Sequence, residues 1–263
     1  MDLRIRKKVA VVAAASKGLG RAVAEALAKE GANLAICSRN KKQINETANY
    51  IRTEYKVEVI PFVCDVTNPS EICSFKESVI SRFNTCHILF TNAGGPPAGN
   101  IKDFTADDFK KAIDLNLIST INLVYAFLPL MQKQKWGRIL ASTSSNVRQQ
   151  LPEFPLSNVS RVAVLAFIKT LAQEIAHSNI TANVLAPGYF MTNPTREYIE
   201  KQAKNEGIEY IEVLRRIEKT IPTHTVGNPE DFGALTAFLS SEYASYITGE
   251  TFLIDGGAYS SVM

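Results

Sequence analysis

Long apolar runs are missing from this 263-residue chain. No stretch approaches the ~20 apolar residues of a membrane span, and the charged start, Met1 to Val9, holds no apolar segment long enough for a signal peptide. No membrane partner and a cytoplasmic location are therefore expected. An excess of either charge is missing too: 29 Lys and Arg stand against 26 Asp and Glu, scattered rather than gathered into a basic stripe, so no nucleic-acid partner is expected. Cysteine is scarce. The four present, Cys37, Cys64, Cys73 and Cys86, include no C-x-x-C pair, and two lie in apolar runs. They read as reduced, buried thiols rather than disulfide partners or metal ligands, and no metal site is expected. Internal repeats and low-complexity linkers are absent, so one domain spanning 1–263 is expected.

A hydrophobic content of 46% suffices for one large core. Short apolar runs alternate with helix-period segments almost from end to end, the pattern of a parallel sheet with crossover helices. Strands are expected at Val9–Ala15, Asn33–Cys37, Val57–Val63, His87–Thr91, Arg138–Ser142, Ile180–Leu185 and Thr251–Ile254, giving a doubly wound α/β, seven-stranded parallel sheet of Rossmann type. Gly18–Lys29, ending at Gly31, and Lys41–Tyr55 read as crossover helices. Asn68-Pro69-Ser70-Glu71 and Asn228-Pro229-Glu230-Asp231 each offer an N-cap amide, a proline at N1 and acid in the first turn. Thr105 with Asp108 reads as a capping box for a helix running towards Met131, which Pro129 should kink or end. Pro155–His177 is a further long helix. Between Pro194 and Pro222 (about 194–222) a charged, helix-prone stretch with a break at Gly207 interrupts the alternation; it reads as a substrate lid, or else as a solvated helical excursion.

The turn Ala13-Ala14-Ala15-Ser16-Lys17-Gly18-Leu19-Gly20 joins the first strand to the first helix. Such a turn presents backbone N–H groups and a helix N-terminus to a pyrophosphate, and its glycines permit close backbone approach. The second strand ends in Ser38-Arg39, about twenty residues on, where an acid would bind the adenosine ribose of NAD and a base would take the 2′-phosphate of NADP. No acid stands there. Arg39, with Lys17 in the loop, favours NADP(H) over NAD(H).

That loop, Asp65-Val66, Thr91-Asn92-Ala93-Gly94, Asn116, Ser144, Pro187-Gly188-Tyr189-Phe190-Met191-Thr192 and Asp255-Gly256-Gly257 occur in order at strand ends over nearly the whole chain. In this the chain resembles the short-chain dehydrogenase/reductase family, with the 3-oxoacyl carrier-protein reductases and bacterial-type glucose dehydrogenases as the most similar branches. The resemblance implies that Ala14, Ser16, Lys17, Gly18, Leu19 and Gly20 cradle the pyrophosphate. It further implies that Asp65 and Val66 contact adenine, that Asn92, Ala93 and Gly94 lie along the cofactor, and that Gly188, Phe190 and Thr192, next to Pro187, hold the nicotinamide. It implies Ser144 and Asn116 in the active site, and a homo-oligomer, dimer or tetramer, paired through the helix starting near Asp107 and the helix carrying Ser157.

Departures from the family pattern are equally clear. Its usual Thr-Gly is Ala13-Ala14 here, which is tolerable only if φ at the alanine is negative. Its usual paired asparagine is Thr91-Asn92, one amide fewer for bracing the sheet. Thirteen residues after Ser144 stands Ser157, and four further on Arg161, where the family carries tyrosine and lysine. A serine hydroxyl is a far weaker acid than a phenol and shorter, while Arg161 stays charged and can bind ribose or stabilise an oxyanion without giving up a proton. Three arrangements remain open: Ser144, Arg161 and water stabilise the oxyanion; Tyr189 enters the site, or else only packs; or the cofactor is bound without turnover. The expected activity is an NADP(H)-dependent interconversion of a small-molecule carbonyl and a secondary alcohol. The alternative is a catalytically inactive NADP-binding sensor, regulator or assembly protein.

Overall fold

The structure, a computed structural model, describes residues 1–261. Its centre is a seven-stranded sheet in the order β3-β2-β1-β4-β5-β6-β7, with every pairing parallel. The strands are β1 (Val9–Val12), β2 (Asn33–Ser38), β3 (Val59–Val63), β4 (Ile88–Thr91), β5 (Gly137–Ser142), β6 (Ile180–Pro187) and β7 (Thr251–Ile254). The expected strand starts and ends shift by up to three residues, most at β1, because the loop after it turns away at Ala13.

Why both faces of this sheet are apolar is visible in β1. Ala10 and Val12 point into one core, shared with Leu34, Ile36 and Phe90; Val9 and Val11 point into a second, shared with Ala35, Leu89 and Ile139. A strand buried on both sides must be continuously apolar, because successive side chains alternate faces. Helices α1 (Gly18–Lys29), α2 (Lys41–Tyr55) and α9 (Pro229–Leu239) cover the first core. Helices α3 (Pro69–Phe83), α5 (Ser119–Gln134) and α6 (Pro155–Ile175) cover the second. Phe75 sits between Phe62 and Phe127 at ring separations of 5.3 and 5.9 Å, tying α3 to α5 and β3.

The helix starts follow the local chemistry. Asn68 and Asn228 accept the backbone N–H groups of Ser70 and Glu230, and Thr105 and Asp108 close a capping box on α4 (Ala106–Ile113). The expected single helix towards Met131 is in fact interrupted by a π-helical segment, Asp114–Ile118, between α4 and α5. Pro129 does not end α5, which continues to Gln134. It lies on the exposed face beside Tyr125, so water can take the carbonyl bond that its missing N–H leaves unmade. The helical run Ala106–Gln134 is also long and apolar enough to cross a membrane, with mean hydropathy 1.5 in its best window, contrary to the sequence reading. Here its Leu123, Val124, Phe127 and Met131 are buried in the second core. Between β6 and α9 the charged stretch forms α7 (Asn193–Glu206) and α8 (Tyr210–Lys219), divided at Gly207, which adopts φ +66°. Cys37, Cys64 and Cys86 are buried, whereas Cys73 is exposed on α3.

At the amino edge of the sheet, His87 Nδ1 accepts the Val9 backbone N–H at 3.0 Å. That bond requires an unprotonated Nδ1. Burial, followed by the charge of Lys8, lowers the His87 pKa to about 4. Because this lies below the unfolded value of about 6.5, the unfolded chain takes up the proton first as pH falls. The His87 contribution is therefore full above about pH 6.5 and is lost as pH falls through about 4. After discounting for its partial exposure, we expect about 1–2 kcal/mol of acid-dependent destabilisation from this group. Denaturant titrations of wild type and His87→Asn between pH 7 and 4 should show the shallower slope in the variant; parallel slopes would remove His87 from the account.

Candidate active site

The strand order reverses beside β1, which pairs with β2 on one side and β4 on the other. Crossovers leave that point in opposite directions, opening a crevice at the carboxyl ends of the strands. A cavity of roughly 680 Å³ occupies it, and a second of roughly 530 Å³ adjoins it; Gly95, Thr143, Arg161 and Pro187 line both.

The first cavity begins at the loop before α1. Unlike α3 and α9, α1 has no side-chain cap and no acid in its first turn, so its orphan N–H groups are left to the cavity. Ala14, Ser16, Lys17, Gly18 and Leu19 line this end. Gly20 does not. A Cβ there would lie 2.3 Å from the Ala14 carbonyl oxygen, so this glycine permits a backbone approach inside the loop. The alanine at position 14 has φ +50°, against the expectation of a negative value. The turn into α1 imposes a left-handed conformation on a residue with a Cβ, a local strain of ~1 kcal/mol.

Arg39, Asp65 and Val66 line the end beyond β2 and β3. Arg39 is largely exposed and lies 4.0 Å from Asp65, a distance at which the pair contributes little. Burial pushes the Asp65 carboxyl up, but hydrogen bonds from Thr67 N–H and Oγ1 and the Arg39 charge outweigh it, and the net shift is downward. Asn92, Ala93, Gly94, Pro187 and Thr192 line the middle and far end. Thr91 Oγ1, where the second asparagine of the pair is missing, is buried without a hydrogen-bond partner. Phe190 departs from expectation: it is buried against Phe232, 5.7 Å between ring centres, and lines neither cavity. An apolar side chain one residue from a cavity-lining stretch finds the core instead.

Ser144, Ser157, Gly188 and Tyr189 line the second cavity. Ser144 Oγ accepts the Asn146 N–H at 3.3 Å, leaving its own proton free to point elsewhere. Ser157, on the first turn of α6, finds no side-chain hydrogen-bond partner among the described residues. One turn later Arg161 is buried, and its Nη1 donates to the Thr143 carbonyl at 2.6 Å. Its Nε has no acceptor, and burial alone, with no compensating carboxylate, lowers its pKa to about 10. Tyr189 is half-buried; burial, Tyr198 and Glu153 raise its phenol pKa, which makes it a poorer proton donor. Asn116 lines neither cavity. The π-helical segment turns it inward, where its Nδ2 donates to the Gly94 carbonyl at 3.3 Å and its Oδ1 accepts from Ser160 Oγ at 2.9 Å.

Sequence reasoning missed Ser160, which fastens Asn116 to α6, although its position three residues after Ser157 on a helix was a usable signal. It also missed Tyr259, which lines the second cavity from the chain's far end. Asp255 holds that segment by accepting the Gly257 and Tyr259 N–H groups at 3.0 Å each.

A family model described as enoyl-(acyl carrier protein) reductase matches residues 13–259. The chain belongs to the short-chain dehydrogenase/reductase family of oxidoreductases. It is 34% identical over 257 residues, 97% of this chain and 88% of that protein, to dehydrogenase/reductase SDR family member 4 of Sus scrofa. Among solved structures it resembles L-sorbose reductase from Gluconobacter frateurii, complexed with NADPH and L-sorbose, at a TM-score of 0.97 and 30% identity over 100% of both chains. An NAD+-bound xylitol dehydrogenase is similar at a TM-score of 0.89 and 27% identity, covering 97% of this chain and 100% of that one.

The strain at position 14 is directly testable. Ala14→Gly should raise stability by about 0.5–1 kcal/mol, the relief of the left-handed Cβ less glycine's extra unfolded-state entropy. A melting temperature unchanged or lowered by this substitution would show that the loop does not strain the alanine.

Proposed function

We propose that this protein is a cytoplasmic NADP(H)-dependent short-chain oxidoreductase that interconverts a carbonyl and a secondary alcohol. The observation that carries the reading is the uncapped α1 N-terminus in the crevice, continuous with a second cavity that holds Ser144, Ser157 and Arg161. When bound, the cofactor supplies a hydride to the carbonyl carbon of the substrate. Ala14, Ser16 and Gly18, with the N–H groups of α1, hold its pyrophosphate; Asp65 and Val66 meet the adenine, and Asn92, Ala93, Gly94, Pro187, Gly188 and Thr192 meet the remainder. Ser144 donates a hydrogen bond to the substrate oxygen, and the Arg161 charge stabilises the negative charge that develops there. The proton arrives from water, because the Ser157 hydroxyl is too weak an acid to give it. Asn116, clamped by Gly94 and Ser160, positions α6 rather than touching the substrate. The stretch 194–222, with helices α7 and α8, serves as the lid over the second cavity, a reading supported by Thr220 and Ile221, which follow α8 and line that cavity. Reduced thiols suit a cytoplasmic location.

Ile118, Tyr125, Val159 and Val162 are exposed on the π-helical segment, α5 and α6. These apolar side chains support a homo-oligomer, dimer or tetramer, joined across this face. Its mass by sedimentation equilibrium decides the matter, a monomer at micromolar concentration being the contrary result.

The altered donor set is tested by Ser157→Tyr with Arg161→Lys, screened for substrate-dependent NADPH oxidation against neutral ketones and aldehydes alongside the parent. The pair restores a phenol beside an amine that lowers its pKa, and reduction of neutral ketones should rise by about 100-fold or more. NADPH binding by both proteins without turnover of any carbonyl in the panel would instead favour a non-catalytic NADP-binding protein.

Cofactor choice rests on Arg39, at the close of β2 where no acid stands, on Lys17 in the loop before α1, and on the NADPH in the sorbose reductase; the xylitol dehydrogenase, with NAD+, is the counterexample. Arg39→Asp should weaken NADPH binding by roughly 30-fold or more while improving NADH relative to it. Equal affinity of the parent for both cofactors would defeat the assignment.

A further inference from the structure

The Arg161 guanidinium is a full positive charge, nine-tenths buried, with no carboxylate in salt-bridge reach among the described residues. Of its five N–H donors, one is committed, to the Thr143 carbonyl. Burying an ion costs several kcal/mol unless an opposite charge offsets it. The anion that completes this site must therefore come from a ligand.

The cofactor is a poor source for it. Its phosphates are held at the α1 end of the first cavity, under the proposed function, whereas Arg161 lines the junction with the second. Ribose hydroxyls carry no charge. The described residues offer none either: Asp255, the one acidic side chain lining the second cavity, accepts the Gly257 and Tyr259 N–H groups and forms no salt bridge with Arg161. A tyrosine at position 157 could ionise to supply the counter-charge. Serine cannot, and, lining the cavity itself, it leaves empty the volume that a phenol ring would fill. Neighbouring Ser145, Asn146 and Gln149 give this wall a further set of neutral hydrogen-bonding groups.

We propose that the second cavity selects substrates bearing a carboxylate, namely small 2-oxo or 3-oxo acids and the corresponding hydroxy acids. The carboxylate sits on the free edge of the Arg161 guanidinium with the Ser157 hydroxyl as an additional donor, in the volume the absent phenol vacates, while the carbonyl oxygen goes to Ser144. Reduction then adds one hydride to the carbonyl carbon and one proton from water to the oxygen, leaving the carboxylate unchanged. This assignment of substrate class rests on the hydride-transfer reading above; the carboxylate site itself does not.

The test has a binding arm and a turnover arm, each with C3–C6 2-oxo and 3-oxo acids, such as pyruvate and 3-oxobutanoate, against their methyl esters. Calorimetry on the protein saturated with NADP+ should show acids binding about 100-fold or more tightly than esters, as expected when a buried charge gains its partner. NADPH oxidation should favour the acids by a similar ratio. Arg161→Gln should bring both ratios to within about threefold of unity, and Arg161→Lys, which keeps the charge, should retain part of the preference. Acid binding that depends on Arg161 without any turnover upholds the carboxylate site and fails the hydride-transfer reading. No acid binding across the panel, esters handled as well as acids, or an acid preference that survives in folded Arg161→Gln overturns the inference.

Discussion

A parallel sheet with two apolar faces must be covered on both, and most of this molecule follows from that constraint. Val9 and Val11 face one helix layer while Ala10 and Val12 face the other, so no strand near the centre can be exposed on either side. Crossover helices must then depart to opposite faces, and they part beside β1, where β2 lies on one side and β4 on the other. The crevice there is what the sheet's order leaves uncovered. Its chemistry comes from the loops that close the strands, which bring residues distant in sequence, from Ala14 to Tyr259, onto two adjoining cavities.

Within that crevice the loop before α1 carries conflicting demands. The helix must start without a side-chain cap if its N–H groups are to remain available, and the chain must reverse tightly enough to bring the Ala14 carbonyl against Gly20. Gly18 meets the second demand with a positive φ at little cost. Ala14 meets it under strain. The fold tolerates a local cost of ~1 kcal/mol because the surrounding strands, each buried on both faces, fix the ends of the loop.

The sheet and its helices were largely legible in the sequence, since apolar alternation and N-cap chemistry are local properties: Asn68-Pro69 and Asn228-Pro229 start helices as their own side chains dictate. The loop residues were legible for the same reason. What local pattern could not give was the fate of side chains that choose between a cavity and the core. Phe190 goes to Phe232, and Asn116 turns inward on a π-helical segment whose extra residue leaves no periodic trace strong enough to read. That α5 does not end at Pro129 was not legible, because the cost of a helical proline depends on whether water reaches the carbonyl one turn back, and that is a tertiary fact.

By the family resemblance read from the sequence, Ser157 and Arg161 stand where a tyrosine and a lysine are expected, and the difference is more than the loss of a proton donor. A phenol beside a lysine forms a pair whose charges compensate when the phenol ionises, so the site can be neutral overall with either partner buried. Ser157 beside Arg161 has no such state: the guanidinium keeps its charge even with its pKa drawn down to about 10, and the serine stays neutral. The charge imbalance is therefore permanent in the free protein and can be relieved only by what enters. A site of this kind trades stability of the empty form for differential affinity towards an anion, because the desolvation cost of Arg161 is met on folding, before any ligand arrives. Under the proposed function, the same permanent charge favours negative charge on the substrate oxygen held by Ser144, so a buried cation that costs the fold stability is also placed to lower a barrier within it.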